Sequence, residues 1–158
     1  MRALVQRVSW ARVRVGDEVT GEIGPGLCVL VGVAHHDDVA TAVAVADKVW
    51  HLRIIDDGTG AMQRSVADTT RAVLVVSQFT LYGDLRRGRR PSWAAAARPD
   101  HAAPLVAAVV ERLAERGATV ATGRFGAHMR LALENDGPVT VLVEVEAPAA
   151  PTPTPPPG

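Results

Sequence analysis

Residues 72–81 read AVLVVSQFTL, and this stretch decides how the rest of the chain is placed. Val73, Val75 and Val76 are β-branched and Leu74 is apolar, so Ala72 to Phe79 is expected to be a central strand. That strand delivers Ser77, Gln78 and Phe79 to its C-terminal end, with Thr80 just beyond. Polar groups at the end of a buried strand have two ordinary uses. A rigid scaffold commonly presents catalytic groups there, and hydroxyls there also satisfy loose backbone groups. Residue types alone leave both uses open for Ser77, Gln78 and Thr80.

Upstream, residues 2–15 read as one long strand, because Ala11, Val13 and Val15 alternate with Arg12 and Arg14. Gly16-Asp17 is a turn, Val19 to Ile23 a partner strand, Gly24-Pro25-Gly26 a break, and Leu27 to Ala34 a nearly continuous apolar strand. Asp37 or Asp38 is suited to cap a helix whose apolar stripe is Val39, Ala42, Val43, Ala46, Val49 and Trp50, ending before Asp56-Asp57-Gly58. Downstream, Asp100 is expected to cap a second helix with Leu105, Val106, Val109, Val110 and Leu113 inward, Pro104 in its first turn and Gly117 at its end. Met129 to Leu133 and Val139 to Glu146 read as two strands around the turn Asn135-Asp136-Gly137-Pro138. From Ala147 the sequence APAAPTPTPPPG is Pro-rich and low in complexity, expected to be a disordered tail outside the fold. The expectation is an α+β single domain over residues 1–146, with a mostly antiparallel or mixed, barrel-like sheet and two main helices.

Composition narrows the function. A chain of 158 residues has room for one core, and its 47% hydrophobic content is that of a globular protein. No apolar run approaches the roughly 20 residues needed to cross a bilayer, and the first residues do not read as a signal peptide, so a cytoplasmic protein without a membrane partner is expected. Formal net charge is zero, so any nucleic-acid contact has to be local. The lone Cys28 lies in the apolar run LCVLVGV and reads as a buried hydrophobe.

His35-His36-Asp37-Asp38 contains metal-ligand types, but no second His or Cys cluster completes a coordination sphere, and a helix-capping turn explains it better. His51 and His101 read as solvent-facing, and no Ser-His-Asp or Cys-His arrangement is evident. No metal or cofactor is expected. Arg86-Arg87-Gly88-Arg89-Arg90 suits phosphate oxygens or a solvated loop, and its closeness to SQFTL favours phosphate. Gly137-Pro138 reads as a tight turn, or as a cis pair that aims a carbonyl at a pocket.

With VSQFTL, RGRRPSW, GRFGAHM at Gly123 to Met129 and NDGPVT at Asn135 to Thr140 in this order, the sequence resembles the D-aminoacyl-tRNA deacylases over residues 1–146. The resemblance implies a homodimer with its active site at the subunit interface, acting on the aminoacyl-tRNA 3′ end. It implies hydrolysis of the ester of D-aminoacyl-tRNA and of mischarged glycyl-tRNA. Gly137-Pro138 would be cis and inserted into the partner's pocket, where its carbonyls leave no room for an L side chain. Arg7 matches the arginine that steadies this loop, Phe125 and Met129 match the pocket wall, and Arg86, Arg87, Arg89 and Arg90 would meet tRNA phosphates. Ser77, Gln78, Phe79 and Thr80 would form the catalytic stretch. The resemblance carries two mechanisms: the Thr80 hydroxyl as nucleophile, or the substrate's ribose 2′-hydroxyl activating water while backbone N–H groups around Phe79 and Thr80 hold the oxyanion. The second is preferred, because the sequence places no His or carboxylate beside Thr80. Trp93 stands where the family more often has Phe, and His128 where it is often acidic. The competing function is a tRNA- or RNA-binding dimer without chemistry.

Overall fold

Strand β1 (Arg2–Val15) places every other element of the main sheet. In the computed structural model, which describes residues 1–147, its second half pairs antiparallel with β2 (Glu18–Ile23) and its first half with β3 (Gly26–Gly32). Its other edge carries β8 (Arg130–Glu144) along almost the whole length. Two parallel strands, β6 (Ala72–Ser77) and β7 (Val120–Thr122), continue the sheet beyond β3, which makes it mixed. A small separate hairpin joins β4 (Ile55–Asp56) to β5 (Met62–Arg64).

The sheet curls until its two ends meet. A Cβ at Gly21 of β2 would lie 2.3 Å from the Thr122 carbonyl oxygen of β7, so only a side-chain-free residue allows this approach. The result is nearly a barrel, in keeping with the expected mixed, barrel-like sheet. Helices α1 (Val39–His51) and α2 (Pro99–Glu115) cover one face. Their Val45, Val49, Leu105, Val109 and Leu113 pack with Val5, Val29 and Val75 in one core. On the other face Val8, Val13, Ile23, Leu74 and Val76 form a second. β3 serves both, sending Leu27, Val29 and Val31 to the helices and Cys28 to the opposite side, as strand alternation requires. Burial pushes the Cys28 thiol up to about 12, so it stays protonated and behaves as a small hydrophobe.

The HHDD segment is a capping turn. Asp38 accepts the Thr41 N–H at 2.8 Å and starts α1, while the buried Asp37 carboxylate takes the Met1 amino group and the Ala34 N–H, both at 2.7 Å. His101, expected to face solvent, pairs through Nε2 with the Asp37 carbonyl at 2.8 Å.

Three expected boundaries are corrected. β6 stops at Ser77 rather than Phe79, because Phe79–Tyr82 closes into a 3-10 turn. α2 begins at Pro99 without a side-chain cap, leaving Asp100 inside the first turn and Pro104 in the helix interior. Pro104 is exposed, so water can reach the carbonyl that lacks its N–H partner. The two strands expected around Asn135–Pro138 are not a hairpin. Both arms belong to β8 and pair with β1 in the same direction. The Pro-rich tail lies outside the described residues beyond Ala147, and among those described no helix is long and apolar enough to cross a membrane.

Asp47 of α1 binds Arg112 of α2 at 2.9 Å and Arg116 at 3.0 Å, tying the helices together. Hydrogen bonds from Arg112 first, then Arg116, hold its carboxyl at about 2 against an ordinary 3.8. A carboxyl depressed in the folded state stabilises above its unfolded pKa and loses that contribution as pH falls toward its folded one. Asp47→Asn is therefore expected to lower stability at neutral pH and to flatten the decline between about pH 4 and pH 2. Urea denaturation of both proteins across that range is the check; identical acid slopes would remove Asp47 from the account.

Candidate active site

The Gln78 N–H donates to the Val31 carbonyl at 2.7 Å, and there the β3–β6 ladder ends. The chain then closes the 3-10 turn, with Leu81 N–H to Gln78 O at 3.3 Å and Gly83 N–H to Thr80 O at 3.0 Å. The first amides of a helical turn have no partner inside it. Among the described residues, the N–H groups of Phe79 and Thr80 meet no acceptor at all. Gln78 Nε2 donates to the Thr80 hydroxyl oxygen, and no carboxylate or imidazole is bonded to that hydroxyl. Burial, reinforced by the Asp37 charge, pushes the Tyr82 phenol up to about 12, so it offers no base.

Ser77, Gln78 and Phe79 line a cavity of about 540 Å³ together with Phe125 and Met129. The sequence elements SQFTL and GRFGAHM thus meet in space. Trp93 packs edge-on against Phe79, ring centres 5.4 Å apart, and continues the wall. Ala102 and Val106 of α2 and His128 also line it; Val106 was read only as core, and Ala102 was not singled out. A signal existed for Val106, which neighbours Leu105 and so lies off the centre of the buried stripe. A smaller cavity of about 260 Å³ between α2 and the β6–β7 edge shares Ser77, Val106 and Phe125.

Gly137-Pro138 is elsewhere. Along β8, Asn135 pairs with Val8 and Thr140 with Gln6, so residues 136–139 loop out opposite the single residue Arg7. The Gly137-Pro138 bond is cis. Asn135 Oδ1 accepts the Val139 N–H at 2.8 Å, drawing the loop's ends together. Arg7 Nε donates to the Asp136 carbonyl at 2.9 Å and Nη1 to the Ile54 carbonyl at 2.8 Å, so one planar fork joins the loop to the end of α1's connection. Arg7 is level with Leu27 of β3, and Ser77 is level with Val31. Four residues along a strand are about 13 Å. One chain therefore does not bring the Gly-Pro loop to the cavity.

The arginine loop is closed by paired Asp84 and Ser92, each donating N–H to the other's carbonyl at 2.9 Å. Arg86 folds back on Asp84 at 2.7 Å and holds that carboxyl down to about 2. Arg87, Arg89 and Arg90 are exposed and have no partner among the described residues.

Residues 4–144 match the family model described as D-Tyr-tRNA(Tyr) deacylase. The chain belongs to this family. It is 57% identical over 144 residues to a D-aminoacyl-tRNA deacylase of Symbiobacterium thermophilum, covering 91% of this chain and 95% of that one. It is 60% identical over 147 residues to one of Nocardia farcinica, covering 91% and 99%. Among solved structures, the c-Myc DNA Unwinding Element Binding Protein superposes with a TM-score of 0.87 at 36% identity, covering 93% of this chain and all of that one. A probable eukaryotic D-amino acid tRNA deacylase superposes at 0.80 with 17% identity, which shows the shared fold.

In this deacylase-family chain Arg7 ties the Gly-Pro loop, through the Asp136 carbonyl, to the Ile54 carbonyl outside it. Arg7→Lys keeps the charge but cannot place two donors in one plane. Hydrogen exchange at the Val139 amide, which donates to Asn135 Oδ1, is expected to quicken by about tenfold, the worth of one lost charge-assisted hydrogen bond, while thermal stability shifts by only a few degrees. Unchanged exchange would mean that the loop holds itself.

Proposed function

We propose that this chain hydrolyses the ester of D-aminoacyl-tRNA, releasing free D-amino acid and tRNA, and that mischarged glycyl-tRNA is a second substrate. Membership of the deacylase family supports the enzyme class. The observation that carries the chemistry is the pair of unpartnered N–H groups at Phe79 and Thr80, on a turn beside an apolar cavity.

Water adds to the ester carbonyl carbon, the carbonyl oxygen becomes an oxyanion, and the two N–H groups hold that oxygen as its charge develops. The substrate's ribose 2′-hydroxyl accepts the water's proton while passing its own to the ribose 3′-oxygen. Collapse of the tetrahedral centre breaks the bond to the ribose 3′-oxygen, which leaves protonated, and the amino acid departs. Thr80 is not the nucleophile on this reading. An unactivated hydroxyl needs a base within hydrogen-bond reach, whereas the partner here is an amide donor, which draws density from the oxygen rather than adding to it.

Selection against L-amino acids is assigned to Gly137-Pro138 of a second copy. The distance between this loop and Ser77 within one chain favours that arrangement. So does the outer sheet face, where Leu4, Leu30 and Leu142 stand side by side across three strands and Leu142 remains 48% exposed. Covering such a row with a second copy is favourable, and it would carry the loop of each copy toward the other. Arg87, Arg89 and Arg90 then serve the tRNA backbone, with Arg86 held by Asp84.

Two measurements test this. Deacylation of D- and L-tyrosyl-tRNA is expected to proceed on the D form alone, and Thr80→Ala should keep kcat within about threefold, whereas loss of a true nucleophile costs about 10⁴ or more. Loss on that scale would reinstate Thr80. For tRNA binding, replacing Arg87, Arg89 and Arg90 by Ala should make the slope of log affinity against log salt shallower by about 2, at roughly 0.7 per phosphate contact on a single strand. An unchanged slope would return the loop to solvent. Salt-dependent binding without any turnover would instead favour the RNA-binding reading.

A further inference from the structure

Gly32 ends β3, and directly across the ladder stands Arg2 of β1. Directly opposed residues share a face of the sheet, so Arg2 reaches over a position without a side chain. That space is filled from the turn. A Cβ at Gly32 would lie 3.1 Å from Leu81 Cβ and 3.3 Å from a Tyr82 ring carbon. Arg2 Nη1 donates to the Leu81 carbonyl at 2.8 Å, and its guanidinium carbon lies 4.7 Å from the centre of the Tyr82 ring. From the other side Glu144, Arg2's partner on β8, accepts from Nε at 2.7 Å and fixes the fork.

The turn needs such a hold. It spans four residues, Phe79–Tyr82, and its bond from Leu81 N–H to Gln78 O is long, at 3.3 Å. Its upstream end is pinned to β3 through Gln78, but Phe79 is 56% exposed. A charge-assisted bond to a carbonyl at the far end is stronger than a neutral one, and a guanidinium can donate in plane while lying over an aromatic ring.

We propose that Arg2 is a positioning residue for the hydrolysis, fixing the 3-10 turn through the Leu81 carbonyl and the Tyr82 ring so that the Phe79 and Thr80 N–H groups converge on the developing oxyanion. The proposal rests on the reading of that turn as the oxyanion-binding element. It makes Arg2 act chiefly on the transition state, because Arg2 itself lines neither the cavity nor the arginine loop.

The test is steady-state and single-turnover deacylation of D-tyrosyl-tRNA by the full chain and the variants Arg2→Met, Arg2→Lys and Arg12→Met. Arg12 pairs with Glu22 on an exposed part of the sheet and controls for loss of a surface ion pair. Arg2→Met is expected to lower kcat roughly 10- to 100-fold, the scale of a misplacement of about 1 Å, with KM within about twofold of the parent. Arg2→Lys, able to reach the carbonyl or Glu144 but not both, should recover part of kcat, and Arg12→Met should match the parent. Unchanged kcat in Arg2→Met, an equal fall in Arg12→Met, or a loss carried by KM would each overturn the proposal. If Arg2→Met does not fold, Arg2→Lys decides: reduced kcat at unchanged KM supports the role, and parental kcat overturns it. An inactive parent would fail the functional reading itself, whereas an active parent with an indifferent Arg2→Met fails only this inference.

Discussion

β1 has hydrogen-bonded partners on both edges through most of its length, and that double constraint fixes the positions of everything chemical in the molecule. A strand held on both sides cannot slip by one residue without turning its whole buried set outward. Its alternation therefore assigns Ala3, Val5 and Arg7 to the helix-covered face and Arg2, Leu4 and Gln6 to the other. The two arginines are thereby divided. Arg7 reaches the looped-out segment of β8 and the Ile54 carbonyl, while Arg2 reaches the turn that follows β6. One strand thus supports two distant pieces of backbone, each through a guanidinium bonded to a carbonyl.

Much of this was legible in the sequence because it is local. AVLVV could hardly be anything but a buried strand, Asp38 and the α1 stripe declared a helix, and the HHDD run resolved as a cap. What failed was governed by pairing. NDGP carries every local mark of a hairpin turn, yet both of its arms face the same neighbour, and only the register against β1 reveals a loop of four residues inside one strand. β7 was missed because three residues give no period to read. Phe79 has the propensity of a strand residue, but β3 ends at Gly32 and beyond it no ladder remains to extend.

The candidate site shows the same division. SQFTL was identifiable as the end of a buried strand, and in the structure it shares one cavity with Phe125 and Met129. Arg7 and Arg2, by contrast, are single charged residues on a strand until their acceptors are known. Their acceptors are main-chain carbonyls of Asp136, Ile54 and Leu81, and a carbonyl has no letter in the sequence. Gly32 is legible only as a break, although its missing side chain is what admits Leu81 and Tyr82 to the sheet.

A site built from backbone has a particular distribution of sensitivity. Side-chain nucleophiles and bases are lost by truncating the group itself, so their effects concentrate on the residues that touch substrate. Main-chain donors cannot be truncated; they can only be moved. On the proposed reading, the largest effects should fall on residues that set the path of the chain. Gly32 and Gly83 admit the turn where a Cβ would strike Leu81 or the Trp93 ring, Gly137 holds a positive φ of 146° in the loop, and Arg2 and Arg7 bind the carbonyls. The hydroxyls of Ser77 and Thr80, which look most like catalytic groups, become the more tolerant positions. This follows from where the donors reside: an N–H at position 79 or 80 survives almost any replacement there, provided the chain around it keeps its course.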